Sequence, residues 1–340
     1  MTERAKWLLV ALVSVIVIGI AAGVGVFGWL QYQARGSGPS AIATSSSEGW
    51  ATGDRVVFRN TAAGDGYGHV ASVALSDPRG PRALVDRACD RVAASEDEFI
   101  CLRTERGVVP RYTATLYTDD GAQVESWPLS GIPSRARFSP DGALIATTSF
   151  VTGHSYATVG FSTETEVHTT DGRDFGDLEE YALVIDGEAV SPVDRNYWGV
   201  TFIDDTSFYA TAGLTTTGTT YLVRGDLENR TLTAVASGVE CPSLSPDGSR
   251  IAFKRVTSGS GPTTHWTPAI MDLAAGTVRV LDTETRDVDD QIAWLDDDTI
   301  LYGLPRERAP GDTDVWSLSA DGTGSPEMII EHAWSPSVVR

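Results

Sequence analysis

The sequence predicts an all-β chain: a six-bladed β-propeller of four-stranded antiparallel blades, preceded by one N-terminal transmembrane helix. Three observations predict it. A Ser-Pro-Asp-Gly hairpin followed by an apolar strand occurs in near-identical form at Leu244–Lys254 and Phe138–Ala146. Related Asp-bearing tips recur along the chain at a blade-sized interval. Residues Trp7 to Leu30 form an uncharged run of 24 residues, long enough to span a bilayer as a helix.

Taken in order, the chain begins with Arg4 and Lys6 ahead of the apolar run. They place residues 1–6 on the cytoplasmic side and the bulk of the chain outside, as a single-pass membrane protein with an extracytoplasmic domain. A cleaved signal peptide is the alternative. Its apolar region would be shorter, and the best small-residue site, Ala41-Ile42-Ala43, lies far beyond Leu30. Residues 31–49 are rich in Ser, Gly, Ala and Thr with no apolar period, so they read as a flexible stalk. Residues 50–340 are the propeller, with an insertion around 163–196.

Within the hairpin at Leu244–Lys254, Ser245 opens the turn, Pro246 pre-sets φ, and Asp247 with Gly248 closes it. Ile251 and Phe253 then alternate with Arg250, Ala252 and Lys254, the period of a strand. Equivalent tips fall at Asp54, Asp97, Asp141, Asp205, Asp247 and Asp297, spaced 43, 44, 64, 42 and 50 residues apart. Four of those intervals match a four-stranded blade. After each tip a second strand-turn-strand unit follows, as at Ala269–Gly276 and Val315–Gly322, which completes four strands per repeat. Ala333-Trp-Ser-Pro336 resembles the strand that leads into the other tips, and the first repeat lacks one. The C-terminal segment is therefore expected to supply the inner strand of the first blade and cover the open edges. The longest interval carries an excess of about 20 residues. An extra hairpin turning at Asp186-Gly187 is expected there, with strands too polar for the core. Insertions in repeat proteins gather on one face, often the binding face; a loop with no ligand is the plainer reading.

Composition bounds the partners. The 340 residues carry a formal charge of −20, and lysine occurs only at Lys6 and Lys254. Nucleic-acid binding is excluded, because duplex affinity comes from clustered basic residues. Cys89 and Cys101 are expected on the inner and second strands of one blade, and export permits a disulfide between them. A symmetrical hairpin about Asp97 would not set them opposite, so the bond requires a displaced register or a longer loop. Cys241 is left as a buried thiol. His69, His154, His168, His265 and His332 offer no pair at metal-ligand spacing. Gly160-Phe-Ser-Thr-Glu164 lacks the closing glycine of a nucleophile elbow, and the Asp296–Asp298 and Asp204-Asp205 runs coincide with turn tips. No metal, cofactor or catalytic residue is expected.

Propellers bind ligands at the mouth of the central channel, beside the loops that lead into each inner strand. Those loops contain Arg135, Asp194, Arg195, Asn196, Trp198, Arg286, Asp289 and Asp290, the candidate ligand or partner site. Ion pairing between blades around the channel explains the same residues without a ligand.

The Ser-Pro-Asp-Gly hairpins with Ile251-Ala-Phe253, the Asp272-Leu-Ala-Ala-Gly276 turn and Ala320-Asp-Gly-Thr-Gly324 resemble the TolB-like, WD-type propeller repeat family. The stretch from Asp54 to Val339 is similar to exported or membrane-anchored TolB-like proteins of actinobacteria, notably at Asn196–Phe202, Glu240–Pro246 and Asp287–Leu295. The motif is specific for fold and poor for function. TolB of Gram-negative bacteria carries an α/β domain before its propeller and meets an outer-membrane lipoprotein; the segment ahead of Asp54 is too short for that domain, so those partners are not carried over. The leading reading is a non-enzymatic cell-envelope binding or scaffold protein contacting a protein or glycan. The alternative is a propeller enzyme of lyase, lactonase or glycosidase type, acting through carboxylates at the channel mouth. A sensor is a third reading, disfavoured because residues 1–6 are too few to signal.

Overall fold

The computed structural model describes residues 3–37, 40, 42–46, 50, 52–107, 109–151 and 162–340. His154, Gly160, Phe161 and parts of the expected stalk lie outside the described residues. Two compact units result, one of Met1–Ala41 with Ala62–Tyr67 and one of Ile42–Thr61 with Gly68–Arg340.

The first unit contains helix α1 (Glu3–Ser37). It is long and apolar enough to cross a membrane. Its large apolar side chains, Leu9, Ile16 and Phe27 among them, are exposed. The helix continues past Leu30 to Ser37, into the segment read from sequence as flexible.

The second unit is a ring of six antiparallel sheets. Blade 1 receives a short strand β1 (Thr44–Ser45) beside β2 (Arg55–Asn60), β3 (His69–Ala74) and β4 (Arg82–Ala88). Blade 2 is β5 (Arg91–Ala94), β6 (Glu98–Glu105), β7 (Arg111–Thr118) and β8 (Gln123–Pro128). Blade 3 is β9 (Ile132–Phe138), β10 (Leu144–Val151), β11 (Ser162–Thr169) and β12 (Asp174–Asp177). The inserted hairpin β13 (Ala182–Ile185) and β14 (Glu188–Val190) precedes blade 4, which is β15 (Arg195–Phe202), β16 (Ser207–Leu214), β17 (Thr219–Asp226) and β18 (Thr231–Ser237). Blade 5 is β19 (Glu240–Leu244), β20 (Arg250–Ser258), β21 (His265–Asp272) and β22 (Val278–Val280). Blade 6 is β23 (Ala293–Trp294), β24 (Thr299–Pro305), β25 (Thr313–Ser319) and β26 (Glu327–Ile330), and the chain ends in β27 (Ala333–Val339).

β27 pairs antiparallel with β2, Arg55 opposite Val339 and Asn60 opposite Ala333, so the C-terminus supplies the inner strand of blade 1 as expected. The inner strands β27, β5, β9, β15, β19 and β23 each touch the next around the ring. The hydrophobic core is divided accordingly into six clusters, one in each joint between neighbouring blades. This division explains why the second strands are buried on both faces. Ile251 and Phe253 pack toward blade 4 while Ala252, between them, packs toward blade 6. The alternation read in the sequence thus separates two interfaces, and Lys254 at its end is buried rather than solvated.

Two blades exceed four strands, both at the outer edge and both by parallel pairing. β1 pairs with β4, and β13 pairs with β18, Leu183 opposite Leu232. The β13–β14 hairpin turns at Asp186-Gly187, where both residues have positive φ (52° and 81°), the type I′ geometry that suits a two-residue hairpin. The expectation that this insertion is too polar for the core is corrected. Leu178, Tyr181 and Leu183 are buried in the joint between blades 3 and 4, because the inserted segment closes over the outside of that joint.

The disulfide joins Cys89 to Cys101, with Cα atoms 5.3 Å apart. Cys101 lies on the second strand as expected, but Cys89 is not on the inner strand. It lies between β4 and β5, three residues before Val92, the residue that faces Cys101. The bond therefore ties the entering connection to the blade and does not bridge the ladder.

Candidate functional site

At one level of the ring each blade contributes a residue from its inner strand or the segment leading into it. Across the first ladder from Arg59, Leu102, Thr148, Thr211 and Lys254 stand Trp334, Arg91, Arg135, Trp198 and Glu240. Asp290, which accepts from the Gly303 N–H at 3.1 Å, supplies the sixth from blade 6. Two arginines, two tryptophans and two carboxylates make the ring. Just beside it the strands deviate: the ladder register shifts on β9, β15, β19 and β27. Gly199 takes φ of +67°, and a Cβ there would lie 2.6 Å from the Cys241 Cα, so only glycine lets these two inner strands approach.

Asp290 is buried and pairs with Arg91 at 3.0 Å. The Arg91 guanidinium in turn lies 4.7 Å over the Trp334 ring, a favourable cation–π distance. Asp289, its chain neighbour, pairs with Lys254. Lys254 also sits 4.6 Å over Trp266, whose indole N–H donates to Glu240 at 3.2 Å. On β9, Arg137 donates to Ser243 Oγ at 3.1 Å and to the Ile292 carbonyl at 2.9 Å, linking blade 3 to blades 5 and 6.

The electrostatics follow from burial among like and unlike charges. Burial brings Arg91 down to about 10, with repulsion from Arg135 adding and Asp290 opposing. Burial alone brings Arg137 to about 10. Both remain charged at neutral pH. Burial also pushes up the Glu240 carboxyl, against the pull of Lys254 and the Trp266 N–H. Asp289 moves the other way: burial works against its charge, but Lys254 holds it below the usual carboxylate range.

Of the residues singled out from sequence, Arg135, Asp289 and Asp290 meet in this channel cluster, and Trp198 belongs to the ring while packing over Gly213. The others point elsewhere. Arg195 donates to the carbonyls of Glu179 and Pro192, at 2.6–3.1 Å. Asn196 accepts from the Thr163 N–H and donates to Thr215. Asp194 accepts from the Thr216 N–H. These three fasten the insertion and the blade 3–4 joint. Arg286 pairs with Glu284, which Tyr302 also hydrogen-bonds, and lies 3.8 Å over Trp316, a separate network.

Sequence reasoning missed Arg91, Arg137, Glu240, Lys254 and Trp334. Aligning inner strands backwards from each tip would have paired Arg91 with Arg135. Lys254 is one of only two lysines in the chain, which was a usable signal. Among the described residues no group of three or more His, Cys, Asp or Glu is placed to hold a metal ion.

Six blades closed by a C-terminal inner strand, around a channel lined by charge and aromatic rings, define a six-bladed β-propeller. No protein-family model matches the sequence, and no curated protein sequence matches it. Solved structures do match. TolB from Acinetobacter baumannii superposes with a TM-score of 0.57 at 16% identity, covering 84% of this chain and 66% of that one. The match therefore spans just under two thirds of that protein's length. Putative TolB from Agrobacterium tumefaciens gives 0.50 at 12% identity, covering 83% and 91%. The fold is a TolB-like β-propeller, and at these identities the likeness concerns fold, which does not by itself carry function.

Proposed function

We propose that the protein is a non-enzymatic binding or scaffold propeller of the cell envelope, which meets an envelope protein or glycan through its channel mouth. In this reading α1 is the membrane anchor, Arg4 and Lys6 lie on the cytoplasmic side, and the propeller is extracytoplasmic. One observation carries the choice of binding over catalysis. Asp289 and Asp290, the carboxylates of the predicted mouth, are each held by a cation, Lys254 and Arg91, and Glu240, though pushed up by burial, is engaged by the Trp266 N–H and Lys254, whereas work on a glycosidic bond needs a pair of carboxyls both free to reach the substrate. Exported TolB-like proteins are the relatives this reading places it beside.

The test uses the full chain in membranes of its native host. p-Benzoylphenylalanine is placed at Asp289, half exposed at the mouth, and separately at Val124, exposed on the outer strand β8. A discrete protein adduct, or a carbohydrate-positive smear, is expected from the first position and not from the second. Identical patterns from both would remove the channel mouth as the binding surface.

A further inference from the structure

The channel cations are not all paired directly with the carboxylates around them. Arg91 is paired with Asp290, and Lys254 with Asp289. Glu240, the remaining acid of the ring, is engaged by Trp266 and Lys254. Arg137 is satisfied by neutral acceptors; with the Gln291 amide oxygen turned toward it, that oxygen receives Nε at 2.9 Å and Nη2 at 2.7 Å.

Arg135 differs from all of them. Its Nη1 donates to the carbonyl and hydroxyl of Ser134 at 3.0 and 3.4 Å. Its Nε is buried without a hydrogen-bond partner. Among the described residues no carboxylate oxygen lies within 4.0 Å of the guanidinium of Arg135 or Arg137. Arg135 also stands close enough to Arg91 and Lys254 to repel both. A desolvated guanidinium with unmet donors is costly. Asp289, Asp290 and Cys241 favour the charge of Arg135, but in a chain of formal charge −20 no carboxylate among the described residues reaches it directly.

We propose that the channel between Arg135 on β9 and Arg91 on β5 is a binding site for one small oxyanion group, a carboxylate or a phosphate. Arg135 is the primary ligand: anchored at Nη1 on Ser134 and with Cys241 beside it, it keeps unmet donors in a planar fork, the geometry that grips such a group through two hydrogen bonds. Arg91 adds charge from the neighbouring inner strand while Asp290 and Trp334 fix its position. Gln291 and Ser243 hold Arg137 back, so the site takes one group and not an extended polyanion. This inference rests on reading the channel as the binding site, and supplies the ligand chemistry of that site.

The test is thermal unfolding of the full chain in detergent, followed by tryptophan fluorescence, with inorganic phosphate or succinate titrated against chloride at matched ionic strength. A saturable rise in Tm is expected with at least one of the two, and the one that binds names the source of the oxyanion. Arg135→Gln should weaken that binding by about tenfold to a hundredfold, the value of one charged hydrogen-bonding group. Its Tm without ligand should be little changed, because relief of the repulsion with Arg91 and Lys254 offsets the attraction lost to Asp289 and Asp290. Arg135→Lys should retain part of the response. A lower ligand-free Tm for Arg135→Gln would make Arg135 structural and overturn the proposal; so would no saturable response to either anion, or an equal response from wild type and variant. Anion binding without a cross-linked partner would leave this site standing and remove the partner reading, and the converse result would do the opposite.

Discussion

Closure of the ring should depend on Arg82. This side chain is 4% exposed. It donates to Asn60 Oδ1 at 2.7 Å and to the carbonyls of His332 and Glu331 at 3.1 and 2.7 Å, with its guanidinium 5.1 Å over the Phe58 ring. It thus ties β2 and β4 to the two residues that lead into β27. Arg82→Met keeps the length and apolar stem but removes one donor each from the Asn60 amide and the Glu331 and His332 carbonyls, the last of which still accepts from the Thr61 N–H at 2.8 Å. Three charge-assisted bonds lost would cost about 1.5–3 kcal/mol each. The full sum is not expected, since burial already brings Arg82 down to about 10 and that desolvation cost is relieved in the variant. A net loss of about 3–5 kcal/mol remains, the usual cost of removing one partner from a buried charged network. For a domain of this size that is a fall in Tm of roughly 6–10 °C. Thermal unfolding of the full chain reads it, with Arg87→Met as the reference. Arg87 also donates to two carbonyls, those of Asp86 and Gly121, but from an exposed position, so its loss should stay within about 1 kcal/mol. If the two variants unfold within a degree of each other, the argument that β27 is locked through Arg82 is wrong.

Gly303→Ala would set a Cβ 2.5 Å from the Trp334 ring and 2.7 Å from Asp290 Oδ2. The overpacking should cost about 1–3 kcal/mol and loosen the Asp290–Arg91 pair, seen as increased quenching of tryptophan fluorescence by iodide; unchanged stability and quenching would show that the ring is slack. Replacing Cys89 and Cys101 together by Ser removes a link spanning 12 residues, worth about 3 kcal/mol. Dithiothreitol should lower the wild-type Tm by the same amount and leave the double variant unmoved. Asp119 supplies a pH test. Burial pushes its carboxyl up to about 6 despite Arg55 at 3.5 Å, and its Oδ1 is buried without a partner. The folded chain then holds a proton that the unfolded chain, with its ordinary value of 3.8, releases. Stability from this group accordingly rises as pH falls from about 6 to about 4 and is lost above that window. Asp119→Asn should flatten that slope and raise the urea midpoint near pH 7; an unaltered slope would exclude Asp119 as its source.

What could be read from sequence was local. The Ser245–Ser249 turn is built as its residues dictate, with Asp247 accepting from Ser245 Oγ at 2.6 Å and from the Ser249 N–H at 3.0 Å. Asp141 repeats the arrangement with Ser139 and Ala143. Because that unit recurs at blade spacing, blade count and closure followed from it. The site was only partly legible, because its contacts cross the ring. Arg91 and Asp290 are 199 residues apart, and no local pattern brings them together. Arg195 and Asn196 sit in a loop of similar composition, and their hydrogen bonds run to the insertion and the blade 3–4 joint. The insertion itself was read as polar because its apolar residues, Leu178, Tyr181 and Leu183, are spread among acids; seating against β18 gathers them on one side.

The ladder between β2 and β27 has a temporal meaning as well. Synthesis makes Val339 long after Arg55, so until β27 emerges the chain is an open arc, with β2 as a bare edge of its first sheet. Such an edge is a template for pairing with another chain, and contacts this distant form slowly. The vulnerable interval ends when the seven residues of β27 arrive. A product cut short just ahead of β27 would keep five whole sheets and still never leave that exposed state, which makes β27 the strand whose loss a quality-control protease would sense first.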